Sequence, residues 1–173
     1  MEQLELKQRA KHYSINMENV WSESFGGYLN YRTDVDSLST RVSPTMFYPL
    51  LAGIGSKKQQ AKILEHFYNS EEFFGEWMLP STTRNDPTFP RQRYWKGAIW
   101  PPLNFLTYLS LREARFTNAA TELSNKSLKL IMTEWKRKGY VGENYSAITG
   151  TGDDKRLSSD RFHSWGALFG IMA

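Results

Sequence analysis

Residues 101–139 read PPLNFLTYLSLREARFTNAATELSNKSLKLIMTEWKRKG and contain two consecutive helix patterns. The first covers residues 101–114, because proline suits the first turn of a helix and apolar residues follow on nearly every side. Such a helix is expected to be sandwiched between other layers. The second spans residues 117–138 and ends at Gly139, a typical helix C-terminus. Its inward side is predicted from Ala120, Leu123, Ile131 and Trp135.

Further helix patterns lie on both sides of this pair. An apolar stripe predicts a helix over residues 3–25, ended by Gly26-Gly27. Ser43-Pro44 opens a short apolar helix over residues 45–54, and Ser56 with Gln59 forms a capping box for the next one. A final apolar helix is expected over residues 163–172. These roughly six helices form hairpin-like pairs without a convincing strand pattern, which predicts an all-α fold.

Composition excludes several classes of protein. The 173 residues carry a net charge of +4, no cysteine and 14% aromatic residues. The absence of cysteine rules out disulfide scaffolds, cysteine-ligated metals and thiol catalysis. The positive charge is spread along the chain, so neither nucleic-acid nor membrane binding is implied.

Targeting, metal and cofactor signals are absent from the sequence. The first residues, MEQLELKQRAKH, lack the apolar core of a signal peptide, and no stretch is long and apolar enough to cross a bilayer, which predicts a soluble chain of unknown location. His12, His66 and His163 are far apart in the chain, and no nucleotide-binding loop is present. We therefore expect no metal and no cofactor.

One carboxylate, Glu143, lies in a glycine-rich segment that reads GYVGENYSAITGTG. The surrounding glycines permit tight turns, so this segment could hold an acid at the mouth of a helical cavity beside Asn144 and Tyr145. The ordinary alternative is a solvated loop glutamate.

A second cluster, RQRYWKGAIWPPLNF, occupies residues 91–105 inside and after an unusually long loop over residues 69–97. Tryptophan and tyrosine rings stack on sugars, and arginine and asparagine bind hydroxyl groups, so this mix suits a polyhydroxylated ligand. RNA would be bound by similar chemistry, which is the weakest alternative. A packed loop whose aromatic residues only close the core is an equally plain explanation.

Taken in order and spacing, these segments resemble the C-terminal part of the (α/α)6-barrel glycoside hydrolases of family 63 and their mannosylglycerate-hydrolase-like relatives. The resemblance runs through RVSPTMFYPLLAGI, FFGEWMLPS, YWKGAIWPPLNFL, GYVGENYSAITGTG and RFHSWGALFGIMA. It is strong over residues 41–173 and loose before them.

The resemblance implies a toroid of helical hairpins with an oligosaccharide or small glycoside in its central funnel. It also implies inverting hydrolysis of an α-glucoside or α-mannoside by an exo-acting enzyme, with Glu143 at the general-base position. The positions that match the sugar pocket of the family are Tyr94, Trp95, Lys96, Gly97, Trp100, Asn104, Tyr145 and Trp165. Lys96 departs from the arginine common in the family, which puts substrate choice in doubt.

The larger departure concerns the general acid. The family motif resembling S-G-x-D-x-S-P-R does not occur in this sequence, and the closing helix reaches Ala173 without a stop signal. We therefore expect residues 1–173 to form a single partial segment, about half of a barrel, whose missing N-terminal half is a partner. Alone it is expected to be inactive. The alternative function is a non-catalytic helical carbohydrate-binding or interaction module, in which the tryptophans matter and Glu143 does not.

Overall fold

A computed structural model describes residues 2–172, and helices dominate it. The α-helices of this described range are α1 (Glu2–Met17), α2 (Lys57–Tyr68), α3 (Pro101–Glu113), α4 (Thr117–Lys138) and α5 (Leu168–Ile171). Shorter 3-10 helices cover Glu18–Val20, Pro44–Ala52, Phe89–Arg91 and Ser164–Ala167. The helical class predicted from the sequence is confirmed, while Ala173, where the missing stop signal was noted, lies outside the described residues.

The N-terminal third differs from the prediction of one helix over residues 3–25. After α1, two antiparallel hairpins pair β1 (Trp21–Ser22) with β2 (Gly27–Tyr28) and β3 (Tyr31–Arg32) with β4 (Ser37–Leu38). Gly26 turns the first hairpin with a φ of 80°, a conformation that glycine adopts without strain. The expectation of no strand was therefore wrong here. These short strands are held by hydrogen bonds to each other, and the sequence carries no alternating pattern long enough to indicate them. No residue of α1 within the described range is buried.

Helix boundaries that depend on local chemistry agree with the sequence. In the capping box of α2, Ser56 Oγ accepts from the Gln59 backbone N–H, and Gln59 Oε1 accepts from the Ser56 N–H at 2.7 Å. Gly139 ends α4 with a φ of 72°. The segment at Pro44–Ala52 is a 3-10 helix, because Pro49 has no N–H to donate along an α-helix. It ends at Gly53, before the Gly55 expected from the sequence.

The core is centred on α3, which packs against the 3-10 helix Pro44–Ala52, α4 and α5. Its most deeply buried side chains include small and polar ones, such as Asn104, Thr107 and Ser110, while most of its large apolar residues are only half-buried. The expected sandwiching of this helix is thus partial. Trp135 was predicted to face inward but is 51% exposed, since the buried face of α4 runs through Leu130 and Glu134.

The closing segment is shorter and less regular than expected. It starts as the 3-10 helix Ser164–Ala167 and continues as the single turn of α5. Gly166 and Gly170 lower the helix propensity of this stretch. Gly166 also packs directly on another loop, because a Cβ there would lie 2.7 Å from the Gly142 carbonyl oxygen. This contact brings the closing segment against the loop that carries Glu143.

Candidate active site

Glu143 lies on a loop that is joined by backbone hydrogen bonds to two other parts of the chain. Its N–H donates to the Asp160 carbonyl at 2.9 Å, and the Phe162 N–H donates to the Val141 carbonyl at 2.8 Å. Two residues further, Tyr145 and Ile99 exchange backbone hydrogen bonds of 3.0 and 2.7 Å. A glycine-rich segment with bonds on both sides is fixed in place, so the position of Glu143 is well defined.

The carboxylate of Glu143 is half-buried, with 18% of its side chain exposed. Its Oε2 accepts a hydrogen bond from Asn144 Nδ2 at 3.3 Å, and its Oε1 lies 3.8 Å from His163 Nε2. The carboxylate is therefore held by neighbours and still reaches solvent, as a base that activates water requires.

A row of aromatic rings leads away from Glu143. His163 lies edge-on to Trp165 with a centroid distance of 5.0 Å, and Trp165 is 6.0 Å from Trp100. Trp95 stacks on Trp100 at 3.9 Å with an interplanar angle of 20°. Trp95 and Trp165 are exposed, whereas Trp100 is buried behind them. The two exposed rings flank the buried Trp100 and each offers a face on which a sugar could stack, and Glu143 lies at the Trp165 end of the row.

Tyr94, Trp95 and Lys96 also line a cleft of about 560 Å³. The same cleft is also lined by residues that follow the second hairpin, including Arg41, Ser43 and Thr45. The cleft is of the size of a small-ligand site and offers hydroxyl groups and cations beside an aromatic ring.

The remaining sequence-predicted site residues are buried and bonded internally. Asn104 Nδ2 donates to the Met78 carbonyl at 2.7 Å, and Trp100 Nε1 donates to the Tyr94 carbonyl at 3.0 Å. The Tyr145 hydroxyl accepts from the Gly142 N–H at 2.9 Å. These groups shape the loops that carry the exposed residues.

Burial also determines the properties of two of these positions: the pKa of Tyr145 and the close packing of the backbone at Gly97. Burial raises the pKa of Tyr145 to about 12, so its phenol stays neutral at physiological pH. Gly97 has a φ of 95°, and a Cβ there would lie 2.4 Å from the Phe89 carbonyl oxygen. Neither residue presents a group to solvent in this structure, so the part we assign to both is to position their neighbours.

Sequence reasoning missed the contact between His163 and Glu143. From its spacing His163 is interpreted as an isolated core or surface residue rather than a metal ligand, so the sequence predicts no partner for it. The signal that would have found it is its place two residues before Trp165 in RFHSWGALFG, because Trp165 matches a sugar-pocket position of the family.

Carboxylates that could serve as the general acid are engaged elsewhere. Arg137 and Lys138 hold the pKa of Asp153 below its ordinary value, and Arg156 does the same for the pKa of Asp154. A general acid needs the opposite shift, a raised pKa, so that it carries a proton at the working pH. Neither residue meets that requirement.

Two further candidates fail for the same reason. Lys129 lowers the pKa of Glu76 through an ion pair on the surface. Burial acts to raise the pKa of Asp86, but hydrogen bonds from the hydroxyl and N–H of Thr88 leave that pKa lowered overall. Glu71, the fifth candidate, is exposed on the long loop.

In the described part of the chain, no helix is long and apolar enough to span a membrane.

Comparison with known proteins places the chain among glycoside hydrolases. It is 29% identical over 170 residues to a mannosyl-oligosaccharide glucosidase of Saccharomyces cerevisiae, covering 86% of this chain and 20% of that protein. It is 26% identical over 141 residues to a mannosylglycerate hydrolase of Thermus thermophilus, covering 80% of this chain and 32% of that protein. The chain thus spans only a fifth to a third of the length of these relatives.

The fold matches a solved structure of the same family. The crystal structure of a family 63 mannosylglycerate hydrolase from Thermus thermophilus in complex with glucose superposes with a TM-score of 0.76 at 22% identity, over 92% of this chain and 38% of that one. The chain therefore forms part of an (α/α)6 barrel, as the family resemblance implied. Residues 1–165 match the family described as the mannosylglycerate hydrolase MGH1-like glycoside hydrolase domain, and the chain belongs to that family.

Proposed function

We propose that this chain supplies the general base and part of the sugar pocket of an inverting, exo-acting α-glycosidase whose substrate is an α-glucoside or α-mannoside. The observation that carries the proposal is the half-buried Glu143 carboxylate at one end of the exposed tryptophan row. Membership of the family supports the reaction class, and the resemblance of the segment around Glu143 together with its local geometry supports the choice of that residue.

In the proposed reaction Glu143 removes a proton from a water molecule. The oxygen of that water uses its electron pair to form a bond to the anomeric carbon, while the bond from that carbon to the glycosidic oxygen breaks. The bonding electrons leave with the glycosidic oxygen, which takes a proton from a carboxylic acid on the other side of the sugar. Attack opposite the leaving group inverts the configuration.

We place that carboxylic acid in the part of the barrel that this chain does not represent. Inversion requires two carboxyl groups about 6.5–9.5 Å apart. The pKa of each of four carboxyl groups that could act as the acid is lowered, namely Glu76, Asp86, Asp153 and Asp154, and the chain covers 38% of the solved relative. This is also the reason to expect that the 173-residue chain alone binds sugar without hydrolysing it.

Trp95 and Trp165 are the proposed stacking surface, and Tyr94 and Lys96 border the same subsite. The ammonium group of Lys96 is a compact point charge, so it would bind a sugar hydroxyl or an anionic substituent at one point. An arginine at this position would make a planar, two-pronged contact instead. Lys96 is therefore a position at which substrate choice would differ between relatives.

The test is Glu143→Gln in the full-length product of the gene that encodes this chain. Substrates would include p-nitrophenyl α-glucoside, p-nitrophenyl α-mannoside and mannosylglycerate. Loss of a general base lowers kcat by about 100- to 10,000-fold. Binding of sugar, measured by calorimetry, should persist, since glutamine has the same shape.

Glu113→Gln is the matched control, because Glu113 is exposed and lies at the opposite end of α3 from Trp100. Near-normal turnover by the Glu143 variant would refute the assignment of the base. Turnover by the isolated 173-residue chain would show that it contains an acid and would refute the division of roles proposed here.

A further inference from the structure

We propose that His163 is a positioning residue that orients the Glu143 carboxylate toward the attacking water. This inference rests on the proposed function of Glu143. The two side chains belong to segments 20 residues apart, and backbone pairing brings them together: the Phe162 N–H donates to Val141, and the Glu143 N–H donates to Asp160.

The closing segment holds the backbone of His163 in place. The Gly166 N–H donates to the His163 carbonyl at 3.0 Å, which forms the turn that starts the 3-10 helix. Phe162, just before, has a φ of 55°, an uncommon conformation for an aromatic residue that costs free energy and persists only where the surroundings impose it. The ring of Phe162 lies 5.2 Å from Tyr140, which is one such contact.

The ring orientation of His163 selects which nitrogen faces the carboxylate. Its Nδ1 accepts the Trp165 N–H at 3.4 Å in the manner of a helix N-cap. When Nδ1 is an acceptor, the proton of a neutral imidazole is on Nε2. That nitrogen is the one that lies 3.8 Å from Glu143 Oε1. Catalytic hydrogen bonds are often long before a ligand is bound, and a small rotation would bring this donor within range.

Both oxygens of Glu143 then have one neighbouring donor each. Asn144 Nδ2 donates to Oε2 at 3.3 Å and also to the Ser158 carbonyl at 2.9 Å, so the amide orientation is determined. Once the His163 ring rotates into range, each oxygen has one donor, which restricts rotation of the carboxylate and leaves one lone pair per oxygen for water. A base held in this way keeps its alignment with the reacting carbon, and misplacement by about 1 Å is enough to cost about 100-fold in rate.

Two substitutions separate positioning from packing in the full-length gene product. His163→Gln places an amide donor near the position of Nε2, while His163→Phe preserves an aromatic ring against Trp165 but offers no donor. We expect His163→Phe to lower kcat by about 10- to 100-fold with little change in KM, and His163→Gln to recover most of the loss. His12→Ala, on the exposed helix α1, is the control and should match the wild type.

The opposite ranking, with phenylalanine active and glutamine inactive, would show that His163 only packs and would overturn the inference. Equal activity of all variants would overturn it as well. If Glu143→Gln remained active, the proposed base itself would be wrong, whereas an inactive Glu143→Gln with an unaffected His163→Phe would refute only the role of His163.

A spectroscopic measurement on the 173-residue chain tests the contact without turnover. Nitrogen-15 imidazole spectra should show the neutral form of His163 protonated on Nε2, and Glu143→Gln should shift that resonance. The resonances of His66, which contacts Glu72, serve as the internal control and should stay in place. A proton on Nδ1, or an unchanged His163 resonance, would contradict the geometry argued above.

Discussion

Replacement of Glu134 by alanine is expected to cost about 3 kcal/mol in the free energy of unfolding. Its carboxylate is almost fully buried, with 2% exposed, and accepts from the Gly152 N–H at 2.8 Å and from Arg137 Nη2 at 2.6 Å. Lys138 lies 3.4 Å away with 10% of its side chain exposed. The buried carboxylate therefore connects the end of α4 to the loop that follows Glu143.

The magnitude follows from what the substitution leaves behind. The Gly152 N–H loses a hydrogen bond to a charged acceptor, which contributes about 1.5–3 kcal/mol. Lys138 and Arg137 keep Asp153 as a partner but lose the buried one, and breaking a buried ion pair costs about 3–5 kcal/mol when a charge is left uncompensated. Because Asp153 still compensates both cations, the lower end of that range applies.

Circular dichroism would measure the change in the free energy of unfolding in urea and the change in Tm on heating. A loss of about 3 kcal/mol corresponds to a fall in Tm of roughly 6–12 °C for a chain of this size. The matched control is Glu122→Ala on the same helix, where a half-exposed carboxylate pairs with Lys126 at 3.5 Å. Such a pair contributes about 0.5 kcal/mol. If Glu134→Ala were as stable as Glu122→Ala, the reasoning about the buried carboxylate would be refuted.

The remaining predictions concern pH and the stacking surface. Burial acts to lower the pKa of His66, but its hydrogen bond to Glu72 and the charge of that carboxylate leave the pKa raised overall. A raised native pKa stabilises the fold below about pH 6.5, and this stability is lost as the pH rises through the native pKa, so Glu72→Gln should flatten the dependence of unfolding free energy on pH. A slope that persists in Glu72→Gln would exclude this pair as its source. Trp95→Ala should weaken binding of glucose about tenfold, ~1.4 kcal/mol, in ligand-observed NMR, whereas Trp135→Ala, which removes a more exposed tryptophan on α4, should leave it unchanged. Equal effects of the two substitutions would argue against Trp95 as the stacking surface.

The sequence by itself determined the helix boundaries that depend on neighbouring residues. Ser56 and Gln59 start α2, Pro101 starts α3, and Gly139 ends α4, all as predicted. Each of these signals acts through hydrogen bonds or dihedral preferences within a few residues, so no distant contact is needed to interpret it. The ordered motifs likewise indicated the family and pointed to Glu143 as the residue to examine.

Only the tertiary structure decided which aromatic residues are available to a ligand. Trp95 and Trp100 belong to the same short motif, but one is exposed and the other is buried behind it. Burial depends on which segments pack together, and that information is spread over the whole chain.

The hairpins after α1 and the contact between His163 and Glu143 were decided in the same way. Both arise from hydrogen bonds between segments, and a pattern along the chain reports the preferences of each segment but not its partner. The sequence thus determined the local elements and the candidate base, while packing between distant segments determined the surface that base would serve.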